Sequence, residues 1–329
     1  MEKPLKPSFE NIDCDICQEN DYDIFIKMPD YDDYLSSPLT LSIVKCKSCG
    51  LLYTNPRVNQ GAMKKLGEMR FTPWTKDKSR FRLWLSALIR KHPKIRMVYH
   101  HFTGEYLSEI IAQSKGKVLD IGCGFGDLLE DLLKKGCIPY GVEVNPFAVK
   151  ACREKGLQVS QGVLDEIGFP DNFFDTITLR HVIEHLDSPR ETLVEALRVL
   201  KPQGQMFIYC PNADSYFSKL FGKYWWGWGL PFHYYHFTLR TMHRLIATTG
   251  FRARKTQTVT PEYIFLMSLA RYLKHGQNRF LLWCQRQGIF NNLFFRLFIS
   301  SIFRVLDLCF PGKGECLRVE LVKPDGKEK

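Results

Sequence analysis

From Gly116 onward the chain alternates short apolar runs with amphipathic stretches, and this alternation restricts the fold more than any other feature of the 329-residue sequence. Lys117–Ile121, Ile138–Val144, Leu157–Gln161, Phe174–Leu179 and Met206–Cys210 are short, apolar and separated by turn residues, which predicts buried strands. Between them, Asp127–Lys135, Pro146–Lys155 and Pro189–Leu200 predict helices, the last with Ser188 as N-cap and Pro189 at the first helical position. Strand and helix in alternation imply a parallel, doubly wound α/β sheet. Cys316–Val322 adds a strand near the end of the chain. With 45% hydrophobic and 25% charged residues, there is material for a sizeable core, and disorder is excluded for the bulk of the chain.

The most informative stretch is Val118-Leu119-Asp120-Ile121-Gly122-Cys123-Gly124-Phe125-Gly126. It passes from a strand into a helix through Gly-x-Gly-x-Gly, where glycines let the backbone turn tightly and approach a ligand. Glu143 closes the next strand, the place from which a carboxylate reaches ribose hydroxyls in such folds. The third glycine breaks the Gly-x-Gly-x-x-Gly spacing, which disfavours a dinucleotide.

Asp120–Gly126 resembles the first motif of the class I S-adenosylmethionine-dependent methyltransferases. Gly141–Asn145, Phe169–Asp175, His181–Leu186 and Leu197–Gly204 agree with further blocks of that family in order and spacing, over about residues 116–211. The resemblance implies a Rossmann-like, seven-stranded methyltransferase sheet and S-adenosylmethionine as cofactor. It implies that Gly122, Gly124 and Gly126 line the methionine and ribose portion, that Asp120 contacts the amino-acid end, and that Glu143 holds the ribose diol. Adenine would lie beside Val163 and Leu164. Many relatives carry an acid at the position of Val163, and Asp165 stands as its replacement. Arg180 and His181 would flank the methyl group. A plainer role for His181 and His185, orienting and capping the helix that follows, stays open.

Cys14-x-x-Cys17 and Cys46-x-x-Cys49 lie far upstream of these motifs. Two such pairs match a tetrahedral, structural zinc site, with no position left open for catalysis. The alternative is four free thiols. The remaining seven cysteines show no ligand spacing and read as small hydrophobes.

After the fifth strand, Leu230-Pro231-Phe232-His233-Tyr234-Tyr235-His236-Phe237-Thr238 resembles the Pro-x-His-x-x-His-Phe-[Ser/Thr] block of bacterial methyltransferases that act on sugars and related metabolites. Among these, the deoxysugar C-methyltransferases also carry an N-terminal cysteine-rich zinc domain. The resemblance implies an insertion around 212–240 that covers the substrate, in which a histidine takes the acceptor's proton. His233, His236 and His181 are the candidates, because an imidazole near neutral pKa suits that task. The bland alternative is that both His233 and His236 satisfy backbone groups while the aromatics pack a lid.

These features predict a zinc-ribbon-like segment over 1–58, a helical linker or lid over 59–113, and a methyltransferase domain over 114–329 with a helical, aromatic lid. The expected reaction is methyl transfer to an oxygen or carbon of a small or carrier-linked metabolite, foremost a sugar of cell-surface polysaccharide or secondary metabolism. A formal charge of +11 keeps two alternatives in view, an RNA methyltransferase and one acting on a membrane lipid or quinone-type substrate. Against RNA, Arg180-His181-Val182 stands where base-amino methyltransferases carry an Asn/Asp-Pro-Pro-aromatic motif. In Leu293–Phe310, Leu293, Leu297, Ser301, Val305 and Leu306 share one helical face, while Phe295, Ile299 and Phe303 spread around it. Such a helix packs internally, pairs two copies, or lies on a membrane with Arg296 and Arg304 reaching headgroups. No spanning segment and no signal peptide is read, so the expected location is cytoplasmic, with peripheral contact to the inner face of a membrane through 280–310. The oligomeric state is left open.

Overall fold

A computed structural model describes residues 7–31, 39–59, 61–63, 107–275 and 293–325. Most of the expected 59–113 linker, and 276–292 of the apolar C-terminal segment, lie outside the described residues.

The N-terminal residues form five short strands. β1 (Phe9–Glu10) pairs antiparallel with β5 (Arg57–Val58). β2 (Tyr22–Pro29), β3 (Thr40–Cys46) and β4 (Leu52–Thr54) make an antiparallel meander. Its fourth strand comes from far along the chain. β11 (Tyr235–His236) pairs with β4, Tyr235 opposite Tyr53 and His236 opposite Leu52.

The second sheet has seven strands in the order β12-β13-β10-β9-β6-β7-β8. Its parallel centre comprises β6 (Lys117–Ile121), β7 (Ile138–Glu143), β8 (Gln158–Gln161), β9 (Phe174–Arg180) and β10 (Leu200–Pro211). β13 (Cys316–Val322) runs antiparallel between β10 and β12 (Arg252–Val259). The sheet is therefore mixed, the seven-stranded doubly wound sheet that was expected, with β13 the strand that runs against the others. A strand buried along its whole length, as β13 is, carries no mark of its direction in its residues. β12 gives no apolar signal because it is an edge strand whose first four residues are exposed.

The helices end where their caps dictate. α2 (Asp127–Lys134) follows Gly126, and α3 (Pro146–Glu154) is capped by Asn145, which accepts the amides of Phe147 and Ala148. α5 (Pro189–Val199) begins at Ser188, whose hydroxyl accepts the amide of Glu191. α1 (Leu107–Gln113), α4 (Leu164–Ile167), α6 (Tyr216–Phe221), α7 (Leu239–Ala247), α8 (Glu262–His275) and α9 (Leu293–Cys309) complete the described helices.

One core unites the two sheets. Leu119, Ile177, Leu179 and Ile208 of the large sheet share it with Cys14, Cys46, Leu51 and Tyr53 of the N-terminal module and with Tyr235 and Phe237. Polar contacts fix the same junction. Asp15 accepts from the Ser188 hydroxyl and the Arg190 amide, each at 2.8 Å, so the module closes the start of α5.

Helix α9 buries residues that lie off the shared face of Leu293, Leu297, Ser301, Val305 and Leu306. Ile299, Ser300 and Phe303 are buried, whereas Ser301 and Val305 are exposed. Apolar residues occur all round this helix, so periodicity alone could not choose a face. Arg296 pairs with the fully buried Glu262, and Arg304 with Asp307, so both arginines point to protein carboxylates rather than outward. No described helix is long and apolar enough to cross a membrane.

Candidate active site and cysteine cluster

The loop between β6 and α2 is left-handed at each of its three glycines, with φ of 69° at Gly122, 54° at Gly124 and 82° at Gly126. The reasons differ. A Cβ on Gly122 would lie 2.4 Å from Val182 Cγ2, and one on Gly126 would lie 2.6 Å from Leu157 Cδ1. Among the described residues nothing lies within 4 Å of a Cβ on Gly124, so that glycine borders open space where a ligand can approach.

Two carboxylates flank this loop. Glu143 Oε2 accepts the Gly124 amide at 2.8 Å and Oε1 accepts the Asn145 amide at 2.9 Å, which fixes the carboxylate and leaves lone pairs for further donors. Asp120 is 1% exposed beneath the loop. Its Oδ1 accepts the Thr178 hydroxyl at 2.5 Å, while Oδ2 has no hydrogen-bond partner among the described residues and lies 3.9 Å from Arg180 Nη2. Burial pushes the Asp120 carboxyl up, against the pull of Arg180 and Thr178. A buried carboxylate oxygen without a donor is costly and fits a cationic group brought by a ligand. The open space at Gly124, the orphan oxygen of Asp120 and the spare acceptor capacity of Glu143 thus suit the amino-acid and ribose ends of S-adenosylmethionine.

The other cofactor candidates spread around this centre. Val163 is 40% exposed and follows Gly162, whose amide bonds Glu143 O. Leu164 is buried in the core, and Asp165 is exposed toward Glu195 and Glu191 of α5; burial and these acids raise its carboxyl. At the end of β9, His181 adopts φ 52°, a strained value for a non-glycine residue, held by its amide bond to Tyr209 O at 2.7 Å. His181 Nδ1 lies 3.4 Å from Oε1 of the buried Glu184, and Nε2 lies 3.1 Å from the Tyr263 hydroxyl of α8. Glu184 stood inside a recognised block without a role, whereas Tyr263 carried no signal, because it reaches the site from 82 residues downstream.

His233 and His236 are placed differently. Both are buried in the insertion where it joins the N-terminal sheet. His233 Nδ1 donates to Gly227 O at 2.8 Å. His236 Nε2 lies 3.2 Å from Thr54 Oγ1, whose hydroxyl donates to His233 O at 2.8 Å. Burial lowers His236 to about 3, and burial with the nearby His185 and His236 pushes His233 well below the usual imidazole range. Both rings are therefore neutral near pH 7 and bonded into the protein. His181 has an accessible edge, its side chain being 35% exposed.

The four N-terminal cysteines come together from the turn after β1 and the turn between β3 and β4. Their sulfurs lie within 4.8 Å of one another, Cys14 to Cys49 at 3.3 Å and Cys17 to Cys46 at 3.5 Å. Sulfurs around a tetrahedral zinc ion lie about 3.8 Å apart, so the donor set and its spacing suit such an ion. The hydrogen bond from Cys14 holds the Cys49 thiol down at about 5, while that bond and burial push Cys14 up. Arg244 of α7 donates to the Cys49 carbonyl and ties the cluster to the large sheet's helices. Of the seven other cysteines, Cys123, Cys137, Cys152, Cys210 and Cys316 are buried and Cys309 is exposed; Cys284 lies outside the described residues.

Comparison with known proteins gives three findings. A family model described as a methyltransferase domain matches residues 78–256, more than half of the chain. The ubiquinone biosynthesis O-methyltransferase of Xanthomonas euvesicatoria pv. vesicatoria is 32% identical over 115 residues, which is 33% of this chain and 48% of that protein. The protein of the same name from Xylella fastidiosa strain M23 is 31% identical over 115 residues, 33% of this chain and 47% of its own. The chain thus spans about half the length of the curated relatives it matches. Among solved structures, a SAM-dependent methyltransferase from Archaeoglobus fulgidus superposes with a TM-score of 0.45 at 20% identity, over 69% of this chain and 99% of that one.

Proposed function

The chain belongs to the methyltransferase domain family, and from that premise we propose that it methylates a hydroxyl oxygen of a small or carrier-linked metabolite. The observation that carries the cofactor assignment is the pairing of Glu143, held by the Gly124 amide, with Asp120, whose buried Oδ2 lacks a donor. Bound S-adenosylmethionine supplies an activated methyl group. Glu143 would hold the ribose hydroxyls, Asp120 the ammonium, and the open face of Gly124 would let the backbone lie against the ligand. Beside this centre His181 is the best-placed group to take the acceptor's proton at Nε2, with the Glu184 carboxylate 3.4 Å from Nδ1 favouring the resting ring's proton on that side. Tyr263, 3.1 Å from that nitrogen, stands where an acceptor hydroxyl would bind.

His233 and His236 serve in this reading as supports that join the insertion to the N-terminal module. Zinc at the four cysteines would be structural, with all four positions filled by protein. The relatives' name favours a phenolic or quinol-type hydroxyl over the sugar suggested by the histidine block. Trp226, in contact with Tyr263 at 5.8 Å between ring centroids, gives the site an aromatic wall that suits such a ring.

The experiment is a titration with S-adenosylmethionine and S-adenosylhomocysteine, followed by labelled-methyl transfer to a panel of catechols, quinols and nucleotide sugars. Micromolar binding and label on a phenolic oxygen support the reading. A folded protein that binds neither cofactor form overturns it. Label confined to sugars would return the acceptor to the sugar class.

A further inference from the structure

We propose that Glu184, His185 and His233 form a second metal centre, separate from the four cysteines, which takes a divalent transition metal of the zinc class. One ligand atom from each of these residues lies within 4.8 Å of the other two. Glu184 and His185 sit on the short turn after β9, and His233 arrives from the insertion. The Tyr234 amide donates to Glu184 O at 2.7 Å, so the backbone itself holds the two segments in register.

The donors are prepared for a cation in three ways. First, Glu184 is 1% exposed, and neither carboxylate oxygen has a hydrogen-bond donor among the described residues; the nearest approach is His181 Nδ1 at 3.4 Å from Oε1. A buried carboxylate in that condition calls for a positive partner. Second, both imidazoles face carbonyls through Nδ1: His185 toward Phe232 O at 2.9 Å and His233 toward Gly227 O at 2.8 Å. A carbonyl can only accept, so each proton sits on Nδ1 and each Nε2 keeps its lone pair. This outer bond is the usual support of a metal-binding histidine. Third, Gly229 is left-handed at φ 51°, and a Cβ there would lie 2.4 Å from the His233 ring; the position is kept clear for that ring.

Two imidazoles and one carboxylate are borderline donors, which favours zinc or its first-row neighbours over magnesium or calcium. Ligand atoms around zinc stand about 3.4 Å apart, so small side-chain rotations close the site. Three protein ligands also leave a fourth position for an oxygen ligand.

The test is metal content of the full chain after zinc loading and dialysis, beside Glu184→Gln and His185→Gln. His185 is exposed, so its variant should fold even if the buried glutamate tolerates change poorly. The expected result is about two zinc ions per chain in the parent protein and about one in either variant. Cobalt separates the sites: intense thiolate charge-transfer bands from the cysteines should persist in both variants, while the weaker histidine and carboxylate bands disappear. A parent protein that takes up about one metal with a purely thiolate spectrum overturns the proposal. So do variants that both retain the second ion. Neither measurement needs an acceptor, so the outcome is independent of the methyl-transfer reading.

Discussion

Glu143 Oε2 accepts the amide of Gly124 at 2.8 Å, and this single bond ties the end of one strand to the loop that leaves its neighbour. The carboxylate shapes the loop, and in the proposed reading it also receives the ribose hydroxyls. Glu143→Ala should leave two backbone amides unpaired and remove the ribose acceptor. Affinity for S-adenosylhomocysteine should fall about 10- to 100-fold, or about 1.4–2.8 kcal/mol. Calorimetric titration of the folded variant reads this directly, and unaltered affinity would remove Glu143 from the site.

The three loop glycines should respond differently to alanine. Gly122→Ala and Gly126→Ala force a Cβ into side chains at 2.4 Å and 2.6 Å and should destabilise the fold. Gly124→Ala meets nothing within 4 Å and should cost only about 1 kcal/mol for its left-handed backbone, while cofactor affinity drops. Thermal melts and titrations on the three variants distinguish packing glycines from the ligand-facing one. Equal melts for all three would contradict the assignment.

Among the histidines, His181→Ala should lower kcat by about 10²–10⁴-fold with little change in cofactor affinity. His236→Ala should instead destabilise the protein by about 1–3 kcal/mol, because it leaves Thr54 and the β4–β11 junction unsupported. The contrast is checked by single-turnover rates beside denaturant melts. A variant at His236 that melts normally yet fails to turn over would move the base there.

Removing metal from the cysteine cluster should loosen the N-terminal sheet and, through it, β11. Cys14→Ser or a strong chelator should lower Tm by roughly 5–10 °C. Hydrogen exchange should then quicken at Tyr53 and Tyr235, which face each other across β4 and β11. Protection maintained at both amides would show the two segments to be independent of the metal.

Glu315 gives a pH signature. Fully buried, it is pushed by burial from an ordinary 4.5 up to about 7, although the Phe217 amide and Trp225 Nε1 donate to it. The folded state therefore holds a proton that the unfolded state releases. This contribution to stability is intact below pH 4.5 and is lost as pH rises through 7, by about 3 kcal/mol in total. Denaturant melts between pH 5 and 8 should show the decline, and Glu315→Gln should flatten it.

The parallel centre of the large sheet was legible because β6 and β9 are largely buried on both faces and two of the helices that follow carry side-chain caps. Ser188 and Asn145 accept the amides their positions imply. The loop glycines, Asp120 and Glu143 were legible for a related reason: they lie on consecutive elements, so local chain geometry brings them together. β2 was not legible because Asp23 and Pro29 break its apolar pattern, and β12 because an exposed edge strand needs no apolar face. Tyr263 and the role of Glu184 were missed because their neighbours come from distant parts of the chain.

Residue order by itself determined the alternating strands, the glycine loop with its two carboxylates, and the two cysteine pairs, since each depends on contacts within a few residues or on repeated local pattern. Only the tertiary structure decided where the histidine block goes. The same residues could have formed a loose cover over the substrate; instead Tyr235 and His236 complete the N-terminal sheet opposite Tyr53 and Leu52. That pairing buries His233 and His236, leaves His181 with an accessible edge, and sets Glu184 beside three imidazoles. The β4–β11 strand pairing and the Thr54–His236 side-chain bond, each across more than 180 residues, made that choice, because an unpaired strand edge and a buried ring each need a partner that no local pattern can name.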